Sequence, residues 1–260
     1  MEIVICADQE SVGQAAADTF ESVIRRKPNA VVGLATGSSP LPLYEELERR
    51  TLHGRLTFRN ARAFTLDEYI GLPEGHPETY KEVIDRVFTT RVDIEPANVR
   101  GPNGNAPDLE IEASDYERAI LAAGGIDVQV LGVGTNGHIG FNEPGSSLGS
   151  RTRVKTLLPQ TRLDNARFFT DQEEVPHHVI TQGIGTIMDA RRVVLMATGE
   201  QKAGAVARLA EGSVSAMCPG SMLQLHPRVR VIIDEAAASQ LALADYYRYT
   251  YQNKPAWQHL

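Results

Sequence analysis

The chain has 260 residues, 42% of them hydrophobic and 23% charged, with a formal net charge of −7. These proportions fit a folded globular protein and exclude a disordered or low-complexity chain. The acidic balance, with both signs mixed along the chain, argues against a general nucleic-acid binder, while a few local cations would still suit an anionic substrate. The two cysteines, Cys6 and Cys218, have no CxxC partner and read as inert thiols. No apolar run reaches the length of a membrane span. The N-terminus, MEIVICADQE, lacks the basic region of a signal peptide and reads as the first strand of a cytoplasmic protein.

In chain order, runs rich in Val, Ile and Leu fall at 2–6, 30–36, 62–67, 126–133, 192–198 and 229–234. They mostly do not alternate with polar residues, as expected of strands buried on both faces of a parallel sheet. Helical patterns lie between them, at 11–27, 40–50, 77–92, 109–123, 201–211 and 236–252. The first places Val12, Ala16, Phe20, Val23 and Ile24 on one stripe. Pro40 and Pro77 stand where a first-turn proline is tolerated. His177 and His178 are expected to begin a further helix after Pro176. The alternation predicts an α/β fold: a doubly wound, Rossmann-like three-layer sandwich with a mainly parallel sheet. No linker or repeat interrupts it, so 1–260 reads as a single domain, with longer loops at 71–77, 101–107 and 140–152.

Ligands in such folds bind beyond the carboxyl ends of the strands. Four strand ends carry glycine-bent or polar clusters. Thr36-Gly37-Ser38-Ser39 runs into a helix. Its N–H groups and hydroxyls suit an anion, or a serine simply caps the helix. Asp67 ends an apolar run, where lost hydration would raise its pKa toward that of a useful base; a turn cap is the alternative. Glu68 follows, pointing to the opposite face of an extended strand. After the fourth strand comes GVGTNGHIGFNEPGSS, which places Asn136, His138 and Glu143 within eight positions. A histidine and a carboxylate on one bent loop can move protons near neutral pH, with Asn136 orienting either. The fifth strand leads into Gly199-Glu200-Gln201-Lys202.

Of the other histidines, His53, His76 and His259 sit in polar or terminal contexts and read as solvated, and His226 before Pro227 as structural. No His or Cys spacing suggests a metal site. Arg167 and Lys202 could pair with a phosphate or be ordinary surface charges. On an extended strand Arg151, Arg153 and Lys155 would share a face, giving a cationic row for a second anion or a subunit contact, or a solvated surface.

Together these segments resemble the glucosamine-6-phosphate deaminase family. The resemblance runs from LATGSSPLPLYEEL through FTLDEYIGLPEGHPETY, GNAPD, LGVGTNGHIGFNEPGSSLGSRTRVKTL, TRLDNARFF, GIGTIMDA and ATGEQKAGAV to LQLHP, nearly the whole chain. It implies an isomerising hydrolase that converts D-glucosamine 6-phosphate and water to D-fructose 6-phosphate and ammonia, with no metal or organic cofactor. By this resemblance His138, assisted by Glu143, opens the sugar ring, and Asp67 shuttles a proton between C2 and C1. Gly37, Ser38 and Ser39 would hold the phosphate, with Arg167 and Lys202 neutralising it. Many members carry aspartate where this chain has Asn136. An amide cannot act as a carboxylate base, so Asn136 is expected to orient its neighbours.

In regulated members the activator N-acetylglucosamine 6-phosphate binds between the subunits of a homo-hexamer. Ser146, Arg153, Lys155 and Thr156 match positions used there, whereas the C-terminal YYRYTYQNKPAWQ diverges. Three competing readings remain. A 6-phosphogluconolactonase would share the histidine loop and need no base at position 67. A deaminase for galactosamine 6-phosphate would look much the same. A sugar-phosphate sensor without turnover would be expected to lack the base or the histidine.

Overall fold

A computed structural model of the chain describes residues 1–255, 257 and 258, so His259 lies outside the described residues. The strands are β1 (Glu2–Cys6), β2 (Val31–Leu34), β3 (Arg62–Thr65), β4 (Asp67–Tyr69), β5 (Val99–Arg100), β6 (Val128–Leu131), β7 (Arg153–Thr156), β8 (His178–Thr181), β9 (Val193–Ala197) and β10 (Val229–Asp234). The α-helices are α1 (Gln9–Arg26), α2 (Leu41–Leu52), α3 (Tyr80–Ile84), α4 (Leu109–Ala122), α5 (Pro159–Asn165), α6 (Ile184–Met188), α7 (Ala203–Glu211) and α8 (Ala244–Gln252).

Seven strands form a parallel sheet in the order β1-β10-β9-β6-β2-β3-β5. Every residue of β2, β6 and β9 is buried. Both faces of the sheet's centre are therefore covered, which is the three-layer α/β sandwich that the apolar runs imply. From β2 the chain moves outward through β3 to β5. From β6 it moves the other way, through β9 to β10. The order reverses between β2 and β6, and crevices at such switch points bind ligands. The loops that follow these two strands are 36–39 and the histidine loop.

A second, antiparallel sheet, β4-β8-β7, stands at the carboxyl end of the first. Here the expected strand 62–67 is corrected. It breaks at Leu66, whose N–H still donates to Leu34 of the main sheet while its carbonyl accepts from Gln182 beyond β8. Asp67 thus opens the second sheet instead of ending the first. The helix expected at His177 and His178 is also wrong. His178 begins β8, because His-Val-Ile-Thr finds ladder partners on both sides in β4 and β7. The pattern at 77–92 shortens to α3 and continues as a single π-helical turn, Asp85–Thr89. That at 236–252 narrows to α8.

Two buried tyrosines tie helices to the ends of site-bearing strands. Tyr44 on α2 donates to the Ala35 carbonyl at 2.7 Å and accepts from the Ala35 N–H at 3.0 Å, just before the 36–39 loop. Tyr116 on α4 donates to the Thr65 carbonyl at 2.6 Å, two residues before Asp67. Cys6 is half-buried, and burial, with the charge of Asp8 adding to it, pushes its thiol up to about 11, in keeping with an inert thiol. His226 is buried with Nε2 2.7 Å from the Ala190 carbonyl, a structural placement.

Replacing Tyr44 by Phe removes the hydroxyl that accepts the buried Ala35 N–H. Tyr44→Phe is expected to lower stability by about 2 kcal/mol in urea unfolding, with the folded chain otherwise unchanged. A loss of only a few tenths would show that the tether contributes little.

Candidate active site

A cavity of about 660 Å³ opens at the switch point, lined among others by Gly37, Ser38, Ser39, Asp67, His138, Arg167 and Lys202. Residues from five separate chain segments therefore meet in one place. Asn136 and Glu143 stand behind this lining, and the basic row lies elsewhere.

The 36–39 loop turns through Gly37, which has a φ of +92°, a conformation that favours glycine. The cap of α2 is Pro40, and no side-chain hydrogen bond closes that helix end. Pro40 takes the cap position that the capping alternative gave to Ser38 or Ser39, and among the described residues no hydrogen bond engages either serine hydroxyl. Lys202 reaches the same cavity. Burial lowers its pKa, Asp164 opposes that shift, and the charge of Arg167 adds to it. Two cations that repel one another in a cavity are relieved by an anion between them.

Asp67 is 5% exposed and faces the cavity from the start of β4. Burial, and then the neighbouring charge of Glu68, push its carboxyl up to about 8, and a hydrogen bond from Thr181 only partly offsets them. Glu68 does turn away, as the alternation requires. Its carboxylate accepts the N–H groups of Tyr69, Tyr80 and Lys81 at 2.8, 2.8 and 3.0 Å, pinning the start of α3 against β4.

The histidine loop is organised around Glu143. The Asn136 Nδ2 donates to Glu143 Oε2 at 2.8 Å, while Asn136 Oδ1 accepts the His138 backbone N–H at 3.1 Å. His138 Nδ1 lies 3.4 Å from the same carboxylate oxygen, an ion-pair separation without the alignment of a full hydrogen bond. Thr161 on α5 donates to the other oxygen. Burial would raise the Glu143 carboxyl, but His138, Thr161 and Asn136 together hold it down to about 2. A Cβ on Gly134 would stand 2.2 Å from the imidazole, so a glycine is required beneath the ring. Both ends of the Asn136 amide are occupied, which makes it a fixture of the loop.

The cationic row is partly dismantled. Arg151 precedes β7 and is neutralised by Glu117 and Asp189, the latter at 2.6 Å. Arg153 and Lys155 share the half-buried face of β7, and Thr156 is exposed on the other. The Ser146 Oγ is buried without a partner. Among the described residues no three His, Cys, Asp or Glu side chains gather as a metal site, and no helix is long and apolar enough to cross a membrane.

A family model for glucosamine-6-phosphate isomerases/6-phosphogluconolactonase matches residues 7–232. The chain belongs to this isomerase/lactonase family. Within it, glucosamine-6-phosphate deaminase of Pseudarthrobacter chlorophenolicus is 63% identical over 258 residues, 99% of each chain. The deaminase of Mycolicibacterium smegmatis is 58% identical over 259 residues, again 99% of each. A solved monomeric glucosamine-6-phosphate deaminase superposes with a TM-score of 0.90 at 44% identity, over 92% of this chain and all of that one. The 6-phosphogluconolactonase of Trypanosoma cruzi has a TM-score of 0.74 at 21% identity, over 93% of this chain and 97% of that one, and shares the fold alone.

Sequence reasoning missed Tyr80, Thr161 and Thr181 at this family site. Thr161 opens the TRLDNARFF segment 18 residues after Glu143, but no spacing ties its hydroxyl to that carboxylate. Tyr80 read as one more residue of a helix, although it lines the cavity. Thr181 fell in the segment taken for a helix start.

The raised Asp67 carboxyl makes a stability prediction. Folded Asp67 holds its proton to higher pH than the unfolded chain does. Stability is therefore full below the unfolded value of 3.8 and falls as pH rises toward 8. Asp67→Asn removes that dependence. Its stability relative to the parent chain should climb by about 1.4 kcal/mol per pH unit between pH 5 and 7, measured by urea unfolding. A constant difference would mean that Asp67 titrates as an ordinary carboxyl.

Proposed function

We propose that the chain, acting as one domain over 1–260, converts D-glucosamine 6-phosphate and water to D-fructose 6-phosphate and ammonia. One observation carries the reading. A buried carboxyl pushed up to about 8 shares a cavity with a histidine backed by a carboxylate held at about 2. Two proton-handling groups of opposite character suit a reaction that needs both ring opening and isomerisation. The full-length likeness to relatives described as glucosamine-6-phosphate deaminases supports the same conclusion.

In this reading the phosphate sits on Gly37, Ser38 and Ser39, with Arg167 and Lys202 balancing its charge. His138 moves a proton to or from the ring oxygen as the C1–O5 bond breaks, and Glu143 stabilises its protonated form. Asn136 orients this pair and takes no proton. Asp67 then removes the C2 proton of the open-chain aldehyde, giving an enolamine, and returns a proton at C1. The imine left at C2 is hydrolysed by water, releasing ammonia and the ketose. The named residues supply the ring-opening proton and the C2-to-C1 transfer, and solvent water supplies the remaining protons and the hydrolysis.

The reading extends to regulation. Among the described residues Arg153 reaches only the Asn142 Oδ1, at 2.8 Å, and the Arg151 carbonyl, and no carboxylate answers its charge. With Lys155 on the same face of β7 and the unpartnered Ser146 hydroxyl, it suits a second phosphorylated sugar, N-acetylglucosamine 6-phosphate, while Thr156 on the other face could contribute only through its backbone. A homo-hexamer and a place in the cytoplasm complete this reading by family resemblance, although the solved relative is described as monomeric.

Incubation with glucosamine 6-phosphate should release ammonia and fructose 6-phosphate in equal amounts. Hydrolysis of 6-phosphogluconolactone without ammonia from the amino sugar would favour the lactonase instead, and faster turnover of the galactosamine epimer would change the substrate. His138→Gln should lower kcat by about a hundredfold on the closed ring and by less on an open-chain analogue. Equal losses on both would remove His138 from ring opening. Adding N-acetylglucosamine 6-phosphate should lower the half-saturating substrate concentration, and Arg153→Ala should abolish that response. A parent chain indifferent to the activator would end the regulatory reading and leave the reaction standing.

A further inference from the structure

Thr181 ends β8, is fully buried, and pairs with Asp67 across the ladder of the second sheet. Three groups converge on its hydroxyl. The Phe141 N–H, three residues past His138, donates to Oγ1 at 3.2 Å. Asp67 stands directly opposite on the ladder, close enough for the hydroxyl to lower its pKa. The Gln182 carbonyl lies 3.4 Å away. Gly140 makes the meeting sterically allowed. Its φ is +53°, and a Cβ there would come within 3.2 Å of the Thr181 hydroxyl and 3.6 Å of Asp67 Oδ2. The histidine loop, the hydroxyl and the carboxylate thus meet at one crowded point.

A hydroxyl has one proton to give and two lone pairs to offer. The Phe141 N–H occupies one lone pair. The single proton cannot serve Asp67 and the Gln182 carbonyl together. When Asp67 is ionised the proton belongs on the carboxylate, because a charge-assisted hydrogen bond is the stronger of the two. When Asp67 is protonated, its own O–H can donate to the second lone pair, and the threonine proton can swing to the Gln182 carbonyl. Each state leaves the buried groups satisfied, and the two differ by rotation about one C–O bond. A base that takes a proton from one carbon and returns it to the next needs this property, since it changes charge twice in a turnover.

We propose that Thr181 is a positioning residue of the proton shuttle, its hydroxyl following Asp67 between ionised and protonated forms while anchored to the Phe141 N–H of the histidine loop. The proposal rests on the reaction set out above. Thr181 is not among the residues that line the cavity and acts through Asp67.

Other groups also face Asp67. Glu68 adjoins it on β4, with its carboxylate engaged by three backbone N–H groups. Tyr69, Tyr80 on α3 and Tyr116 on α4 lie within its field, and burial raises all three phenols well above neutral pH. His138 lines the same cavity. These groups remain in every variant below, so differences between variants isolate the hydroxyl.

The test compares Thr181→Ser, which keeps the hydroxyl, with Thr181→Ala and with Thr181→Val, which keeps the volume. The first readout needs no turnover. The carboxylic C=O infrared band that disappears in Asp67→Asn is titrated in each chain. Without the hydroxyl its midpoint should rise by about one pH unit, and serine should restore the parent value. The second readout is kcat against pH with glucosamine 6-phosphate. The acid limb should move up by the same amount in the alanine and valine variants, a loss of about tenfold below the limb with KM little changed. Equal midpoints in the serine variant and in whichever of the other two folds overturn the inference, whether or not the chain turns over the sugar. Failure of the parent chain to release ammonia overturns the reaction, and the infrared comparison then still decides whether the hydroxyl follows Asp67.

Discussion

The desolvation of one carboxyl group, that of Asp67, governs how the rest of the site is built. Asp67 lies where the parallel sheet hands over to the antiparallel one. The Leu66 N–H belongs to the first sheet and its carbonyl to the second. Thr65, the last residue of β3, has its carbonyl held by Tyr116 and by Gln182, so the chain enters the joint in a fixed direction. A carboxyl kept from water in this way favours its neutral form. It can then act as a base near neutral pH only if the surrounding groups accept either protonation state.

The second carboxylate of the site is pushed the other way. Glu143 is as buried as Asp67, at 3% exposed, yet it is surrounded by donors where Asp67 has one. Burial dominates in one case and hydrogen bonding in the other, and the two carboxyls separate to about 8 and about 2. In the proposed reaction this separation divides the work. Glu143 stays charged and supports a protonated imidazole, while Asp67 alone changes state. The amide of Asn136 belongs with Glu143, since it donates to that carboxylate at 2.8 Å, where an ionised carboxylate would set two like charges in contact.

Much of this was legible in the amino-acid order, and the remainder was hidden for physical reasons. The apolar runs of β2, β6 and β9 announce a sheet buried on both faces, and the clusters after them announce its ligand-binding edge. β5 escaped notice because it is two residues long, at the sheet edge and partly exposed. The second sheet escaped because its strands owe their form to distant partners: Asp-Glu-Tyr carries no strand pattern, and His-Val-Ile-Thr is too short to separate strand from helix. His138 and Glu143 could be linked because one loop carries both. Thr161 and Thr181 could not, since threonine has no spacing signature and both meet their carboxylates only through the fold. The cationic row was only partly legible, because alternation reports which face a side chain takes and nothing about Glu117 arriving from α4 to neutralise Arg151.

The account depends on Asp67 moving the proton between C2 and C1, and solvent isotope exchange measures that step without requiring deamination to be complete. In deuterium oxide the parent chain should exchange the C2 hydrogen of glucosamine 6-phosphate, with a rate that rises through an apparent pKa well above that of an ordinary carboxyl. Asp67→Asn should bind the sugar and exchange nothing. Exchange that persists in that variant, or a parent rate that is flat from pH 5 to 9, would contradict the account.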